Sequence, residues 1–146
     1  MRRFAALAVA LALAASAAAA LSSELDRALK DSKYVYIQSE RKSHGLGKAA
    51  EIWFYYDGKA VWVGTPPTSW RVKRIKAGRK TARIAVGKSD GPAFEASGEV
   101  VHDATVEKTL MEAYAKKYPE GWSRFADKFS DGFKNGDRVL VRYTPK

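Results

Sequence analysis

The chain has 146 residues, of which 26 are Lys or Arg and 16 are Asp or Glu, so its formal net charge at pH 7 is +10. It contains no cysteine, which excludes disulfides and thiol catalysis, and its two histidines are too few for a zinc site of the usual spacing. The positive excess favours anionic partners but does not name one.

The first twenty residues have the composition of a bacterial signal peptide. Arg2 and Arg3 precede an apolar segment over residues 4–15, and small residues follow over 16–20. A membrane-spanning helix usually needs about 20 apolar residues, so we expect no membrane span after cleavage. We predict a signal peptide over residues 1–20, one mature domain over 21–146 and a periplasmic or secreted location.

The mature region reads as short strands and helices in hairpin order. Predicted strands cover residues 34–39, 51–56, 59–64, 81–86, 93–102 and 138–143. Predicted helices begin at Ser22, at Thr68 or Ser69, and at Asp103, and an aromatic helical stripe covers residues 122–133. Asp57-Gly58 predicts a tight hairpin, and no βαβαβ alternation is present. The pattern predicts the α+β class, with a small antiparallel barrel and helices packed outside.

The most distinctive segment is Val61–Gly87. An alternating strand leads into TPPTS at residues 65–69, and closely spaced cations follow. From Lys59 to Lys88, with both ends included, there are nine cationic residues and no acidic one. Hydroxyls and free backbone N–H groups at a helix start, followed by cations, suit a phosphate. A solvated basic surface would have the same composition. Nucleic acid is not an expected partner because the chain is predicted to be exported.

Other motifs favour ordinary structure. Residues 87–91 (GKSDG) match the G-x-S-x-G nucleophile motif, but Pro92 and a strand follow where that motif needs a helix, so we predict a hairpin turn. Glu95 and Glu99 fit surface charge better than an acid/base pair. His44 and His102 are interpreted as exposed or structural, and haem ligation by either stays an open alternative.

Several of these features together resemble a known superfamily. Trp53-Phe54 before the Asp-Gly turn, a strand ending at Thr65, and Ser69 followed by RVKRI at residues 71–75 are similar to the pyridoxamine 5′-phosphate oxidase-like split-barrel flavin-binding proteins, especially their deazaflavin-dependent branch. The similarity covers about residues 33–120.

The resemblance implies a homodimer of split barrels that binds FMN or a deazaflavin in a groove between subunits. It implies that Thr65 and Ser69 donate hydroxyl hydrogen bonds to the cofactor phosphate and that Arg71, Lys73 and Arg74 supply positive charge. Arg41 aligns loosely with a further phosphate-facing cation. The flavin would carry the hydride chemistry of an oxidoreductase, and no catalytic residue is assigned. The alternative is a non-enzymatic periplasmic binding module that uses the same groove for another anionic or aromatic ligand.

Overall fold

The computed structural model describes residues 20–146. The predicted signal peptide therefore lies outside the described residues, except for Ala20. Within residues 20–146, no helix is long and apolar enough to cross a membrane.

The described chain contains four helices and seven strands. The helices are α1 (Ser23–Asp31), α2 (Trp70–Lys76), α3 (Ala104–Lys117) and α4 (Pro119–Asn135). The strands are β1 (Val35–Ser39), β2 (Ala50–Ile52), β3 (Tyr55–Tyr56), β4 (Val61–Thr65), β5 (Thr81–Val86), β6 (Ala93–Val101) and β7 (Val139–Pro145). The predicted hairpin turn at residues 87–91 joins β5 to β6, which pair as antiparallel neighbours.

The sheet is antiparallel and has the strand order β2-β1-β5-β6-β7-β4-β3. β2 and β3 lie at opposite ends of this order, yet only Trp53 and Phe54 separate them in the chain. Because such a short link spans only about 10 Å, the two edges must come together and the sheet closes into a barrel. The predicted α+β barrel is confirmed. The single strand predicted over 51–56 is wrong, because the chain crosses the gap at Trp53-Phe54.

Aliphatic residues fill the barrel interior. Val35, Ile37, Val63, Ile84 and Val141 are at most 2% exposed, which follows from the alternation of side chains along each strand. The inner faces of α1 and α2 pack against this core, and Leu29, Val72 and Ile75 are their buried contributions.

A second, aromatic core lies outside the barrel, where α3 and α4 cover β4 and β7. Its buried members are Ala60, Trp62, Leu110, Tyr114, Tyr118, Phe129 and Leu140. Trp53 packs on this layer, with its ring 4.3 Å from the Tyr118 ring and nearly parallel to it. The aromatic stripe predicted over residues 122–133 therefore belongs mainly to the core. The helix that carries this stripe begins at Pro119, and proline is favoured at the first position of a helix.

Candidate anion-binding site

The site is built where β4 turns into α2. Pro66 and Pro67 follow Thr65 and cannot donate to the ladder, so the strand stops there. The Ser69 N–H donates to the Pro66 carbonyl at 3.0 Å, which tightens the turn. Ser69, one of the two residues predicted to begin this helix, occupies the N-cap position of α2, but its side chain makes no capping hydrogen bond.

A groove of about 400 Å³ lies between α2, the end of β1 and the start of β2. Its lining is Ile37, Ser39, Arg41, Lys48, Ala50, Ser69, Trp70, Arg71 and Arg74. Four of these residues are cations and none is an acid. Such a concave surface with one sign of charge concentrates anions.

The Ser69 hydroxyl is unsatisfied. Its Oγ atom is buried and has no hydrogen-bond partner among residues 20–146. Buried hydroxyls are normally paired, and leaving one unpaired costs about 1–3 kcal/mol. An anion in the groove would accept the missing hydrogen bond, so this atom fits a ligand oxygen.

Gly47 allows two of the cations to converge. A Cβ atom at Gly47 would lie 2.7 Å from Arg74 Nη1 and 3.6 Å from Arg41 Nε. The Gly47 N–H donates to the Ser39 carbonyl at 2.8 Å, and the same carbonyl accepts a long bond of 3.4 Å from Arg74 Nη1. Both guanidinium groups therefore lie across a backbone that has no side chain, next to the end of β1.

Arg71 lies between the groove and the barrel interior. Burial raises the pKa of the Tyr143 phenol, and the positive charge of Arg71 opposes that shift. The Tyr143 hydroxyl is a second buried polar atom without a hydrogen-bond partner in the described chain. Ser39, which lines the groove, lies next to the Tyr143 phenol and opposes the rise in its pKa.

The five predicted site residues are not all in one place. Ser69, Arg71 and Arg74 line the groove. Lys73 is exposed and its Nζ lies 5.1 Å from the centre of the Trp70 ring. Thr65 is 5% exposed at the end of β4 and is not part of the groove lining.

Sequence reasoning missed Lys48 and Ser39, and it aligned Arg41 only loosely. Arg41, Lys42 and Lys48 form a second basic run in the loop between β1 and β2. That run is the signal that could have identified this wall of the groove.

Trp70 stands at the groove as an exposed aromatic side chain. It is 70% exposed. The Arg74 guanidinium lies 5.6 Å from the centre of its ring, and Lys73 of the same helix lies close to the ring as well. Cations close to an indole face attract it through the ring quadrupole. The indole is therefore held beside positive charge and is available to a ligand ring.

An aromatic pocket of about 290 Å³ lies at the split of the barrel. β3 pairs only with Val61 and Trp62 of β4, so the last three residues of β4 lack a strand on that side within residues 20–146. The pocket is lined by Glu51, Ile52, Trp53, Gly64, Phe125, Phe129 and Arg138. It begins on β2 immediately after Ala50, a residue of the basic groove.

Neither histidine belongs to the lining of the basic groove or of the aromatic pocket. His44 lies in an exposed loop with its Nδ1 3.6 Å from Glu40 Oε1, while His102 is exposed just after the end of β6. In residues 20–146 no group of three or more His, Cys, Asp or Glu side chains could hold a metal ion.

Comparison with solved structures identifies the architecture. A Clostridium acetobutylicum protein related to general stress protein 26, of the pyridoxinephosphate oxidase family, is 17% identical, with TM-score 0.57 over 84% of this chain and 81% of that one. F420 reductase is 20% identical, with TM-score 0.55 over 83% and 92%. HutZ, the haem storage protein of Vibrio cholerae, is 13% identical, with TM-score 0.58 over 84% and 88%.

The chain therefore has the same split-barrel fold as these solved structures, one of which is described as belonging to the pyridoxinephosphate oxidase family. The resemblance drawn from Trp53-Phe54 and from the turn into α2 is therefore confirmed at the level of the fold. No family model and no curated protein matches the sequence. At these sequence identities the similarity shows the split-barrel fold, but it does not show which ligand the chain binds.

Proposed function

We propose that this protein is an exported, homodimeric split-barrel oxidoreductase that binds FMN or a deazaflavin, with the cofactor phosphate in the groove between β1 and α2. The observation that carries the proposal is the buried, unpaired Ser69 hydroxyl in a groove lined by four cations. A phosphate matches this donor set, because it offers several acceptor oxygens and negative charge.

The groove residues have separable roles. Ser69 would donate its free hydroxyl to a phosphate oxygen, and the guanidinium groups of Arg71 and Arg74 would make charge-assisted bonds, which Arg can form in pairs. Lys48 and Arg41 would complete the charge balance from the opposite wall. Thr65 and Lys73 remain predicted contributors that stand outside the groove lining.

A bound flavin or deazaflavin supplies the hydride chemistry, and the chain supplies binding and orientation. The aromatic pocket at the split offers Trp53 and Phe125 as an apolar surface that would keep water from a ring system. Phe125 is 40% exposed, which supports the proposal that a second subunit covers this face.

Cofactor identity is tested by the visible spectrum of freshly purified protein and by titration with FMN, riboflavin and coenzyme F420. We expect the purified protein to show flavin-type absorbance, or to bind FMN or a deazaflavin at micromolar concentrations. The proposal also predicts that FMN binds at least about 100-fold more tightly than riboflavin, since the lost phosphate removes two or more charge-assisted bonds of about 1.5–3 kcal/mol each. Failure to bind any flavin or deazaflavin at micromolar concentrations would refute it.

Trp70 favours a second candidate, a non-enzymatic binding module for another anionic aromatic ligand. Its exposed indole beside Lys73 and Arg74 can stack on many rings. A haem titration monitored through the Soret band, alongside the flavin titrations, separates the two functions. Haem binding without flavin binding would favour the module.

The export proposal rests on residues 1–20 alone. Expression of the full chain in a bacterium should release a periplasmic form whose N-terminal residue is Leu21. A cytoplasmic protein that retains Met1 or Arg2 would contradict it.

A further inference from the structure

A third cavity, distinct from the basic groove and the aromatic pocket, lies between the end of α1, β3 and α3. Its volume is about 480 Å³. The cavity is lined by Leu29, Lys30, Asp31, Ser32, Lys33, Phe54, Tyr55, Tyr56, Ala113 and Lys117. The wall therefore combines aromatic rings with three amines and a single carboxylate.

Lys117 presents an unusual amine to this cavity. The half-buried side chain places Nζ 3.3 Å from the centre of the Phe54 ring and 3.4 Å from the Phe54 carbonyl oxygen. Among the described residues, no carboxylate lies within 4.0 Å of it. Burial lowers the pKa of this amine to about 8, although the Phe54 ring favours the charged form in part.

Lys117 contacts Phe54, but other side chains hold this part of the chain through shorter hydrogen bonds. Tyr114 of α3 donates to the Trp53 carbonyl at 2.8 Å, and the Phe54 N–H donates to the hydroxyl of Tyr118, the C-cap of α3, at 3.1 Å. The bond from Lys117 is long by comparison. A half-buried amine without an acidic partner, on the wall of an open cavity, has the character of an activated lysine nucleophile.

We propose that Lys117 forms an imine with a small aldehyde that carries an anionic group and binds in this cavity. The neutral amine attacks the carbonyl carbon and forms the C–N bond. The carbonyl oxygen leaves as water whose two hydrogens are those of the amine, so the C=O bond is replaced by a C=N bond and no redox partner is needed. Lys33 would attract the anionic group, because the Lys30 amine is already paired with the Asp26 carboxylate at 2.7 Å. The rings of Phe54, Tyr55 and Tyr56 would contact the rest of the molecule.

The charged groups around the cavity and the pKa of Lys117 determine the pH range in which its amine can react. The groups that line the cavity are Lys30 and Asp31 at the end of α1, Lys33 just after it, and the phenols of Tyr55 and Tyr56. Beside them, Asp26 pairs with Lys30 and accepts from the Tyr56 hydroxyl, and the Tyr118 ring lies 5.4 Å from Lys117 Nζ. Because burial lowers the pKa of Lys117 from 10.5 to about 8, a larger share of this amine is neutral near pH 8 than of an exposed lysine.

The test uses the mature protein with 4-formylbenzoate as the probe. Borohydride traps the imine at timed intervals, and peptide mass spectrometry gives the rate of modification at each lysine. Lys116, the exposed neighbour, is the internal reference, and Lys116→Arg is the matched control for Lys117→Arg, which keeps the charge and cannot form an imine.

We expect Lys117 to react at least tenfold faster than Lys116, with saturation in probe and a midpoint near pH 8. Lys117→Arg should lose this fast adduct, while Lys116→Arg keeps it. Uncharged benzaldehyde should react with Lys117 more slowly than the anionic probe. Equal rates at Lys117 and Lys116 would overturn the proposal, even if Lys117→Arg failed to fold, because the rates are resolved by site in the wild type. Equal rates for the two aldehydes would overturn the anionic preference.

Discussion

Replacing Tyr118 with Phe would remove the hydroxyl that binds the Trp53-Phe54 segment, where the chain passes from β2 to β3. This hydroxyl donates to the Lys33 carbonyl at 2.6 Å and accepts from the Phe54 N–H at 3.1 Å, and the side chain is only 3% exposed. Each hydrogen bond contributes about 1 kcal/mol, and an unpaired buried partner costs about 1–3 kcal/mol. We expect Tyr118→Phe to lower the free energy of unfolding by about 2–4 kcal/mol. Tyr114→Phe, which removes one bond to Trp53, should cost about half as much.

Urea unfolding followed by tryptophan fluorescence measures both losses. With a slope of about 2 kcal/mol per molar urea, the Tyr118→Phe midpoint should fall by roughly 1–2 M. Tyr36→Phe is the matched control, because its hydroxyl bonds Glu51 at the exposed surface. A loss below about 0.5 kcal/mol for Tyr118→Phe, or one equal to that of Tyr36→Phe, would refute the view that this hydroxyl fixes the closure.

Two further predictions concern the fold. Gly98→Val should destabilise the barrel by about 1–3 kcal/mol, since a Cβ atom there would lie 2.8 Å from Ile75 Cδ1 and 3.0 Å from Tyr143 Cε1; an unchanged thermal midpoint would contradict this. Burial raises the pKa of Asp57, but hydrogen bonds from the Ala60 N–H, the Trp62 indole and other donors outweigh it, so the pKa lies below 3.8. Above pH 3.8 the wild type should therefore have a larger free energy of unfolding than Asp57→Asn. This stability difference should disappear as the pH falls through the lowered pKa of Asp57 in the folded protein. A stability difference that stays constant between pH 2 and 6 would refute this linkage.

Local patterns in the sequence predict most of the elements but not their closure. Alternation and the Asp57-Gly58 turn locate the strands, and TPPTS before the cations locates α2. The run EIWFYY at residues 51–56 reads as one strand, because a continuous apolar run carries no mark of where the chain leaves one sheet edge for the other. The break at Trp53-Phe54 follows from pairing with distant strands.

The candidate site shows the same division. Ser69, Arg71 and Arg74 follow from the residues on one short helix. The opposite wall depends on how a loop folds against that helix: Gly47 matters only because Arg74 crosses it, and Lys48 joins the groove through the path of the same loop. Side chains on different elements meet through tertiary packing, which spacing along the chain does not reveal.

The affinity for FMN of two charge-matched double variants tests the central claim most directly. Arg71→Ala with Arg74→Ala removes two groove cations, whereas Lys76→Ala with Lys80→Ala removes two exposed cations that do not line the groove. Isothermal titration should show at least about 100-fold weaker FMN binding for the first pair, from two charge-assisted bonds of about 1.5–3 kcal/mol each, and a change below about threefold for the second. Equal losses in both variants would show that FMN responds to overall charge and not to a phosphate site between β1 and α2.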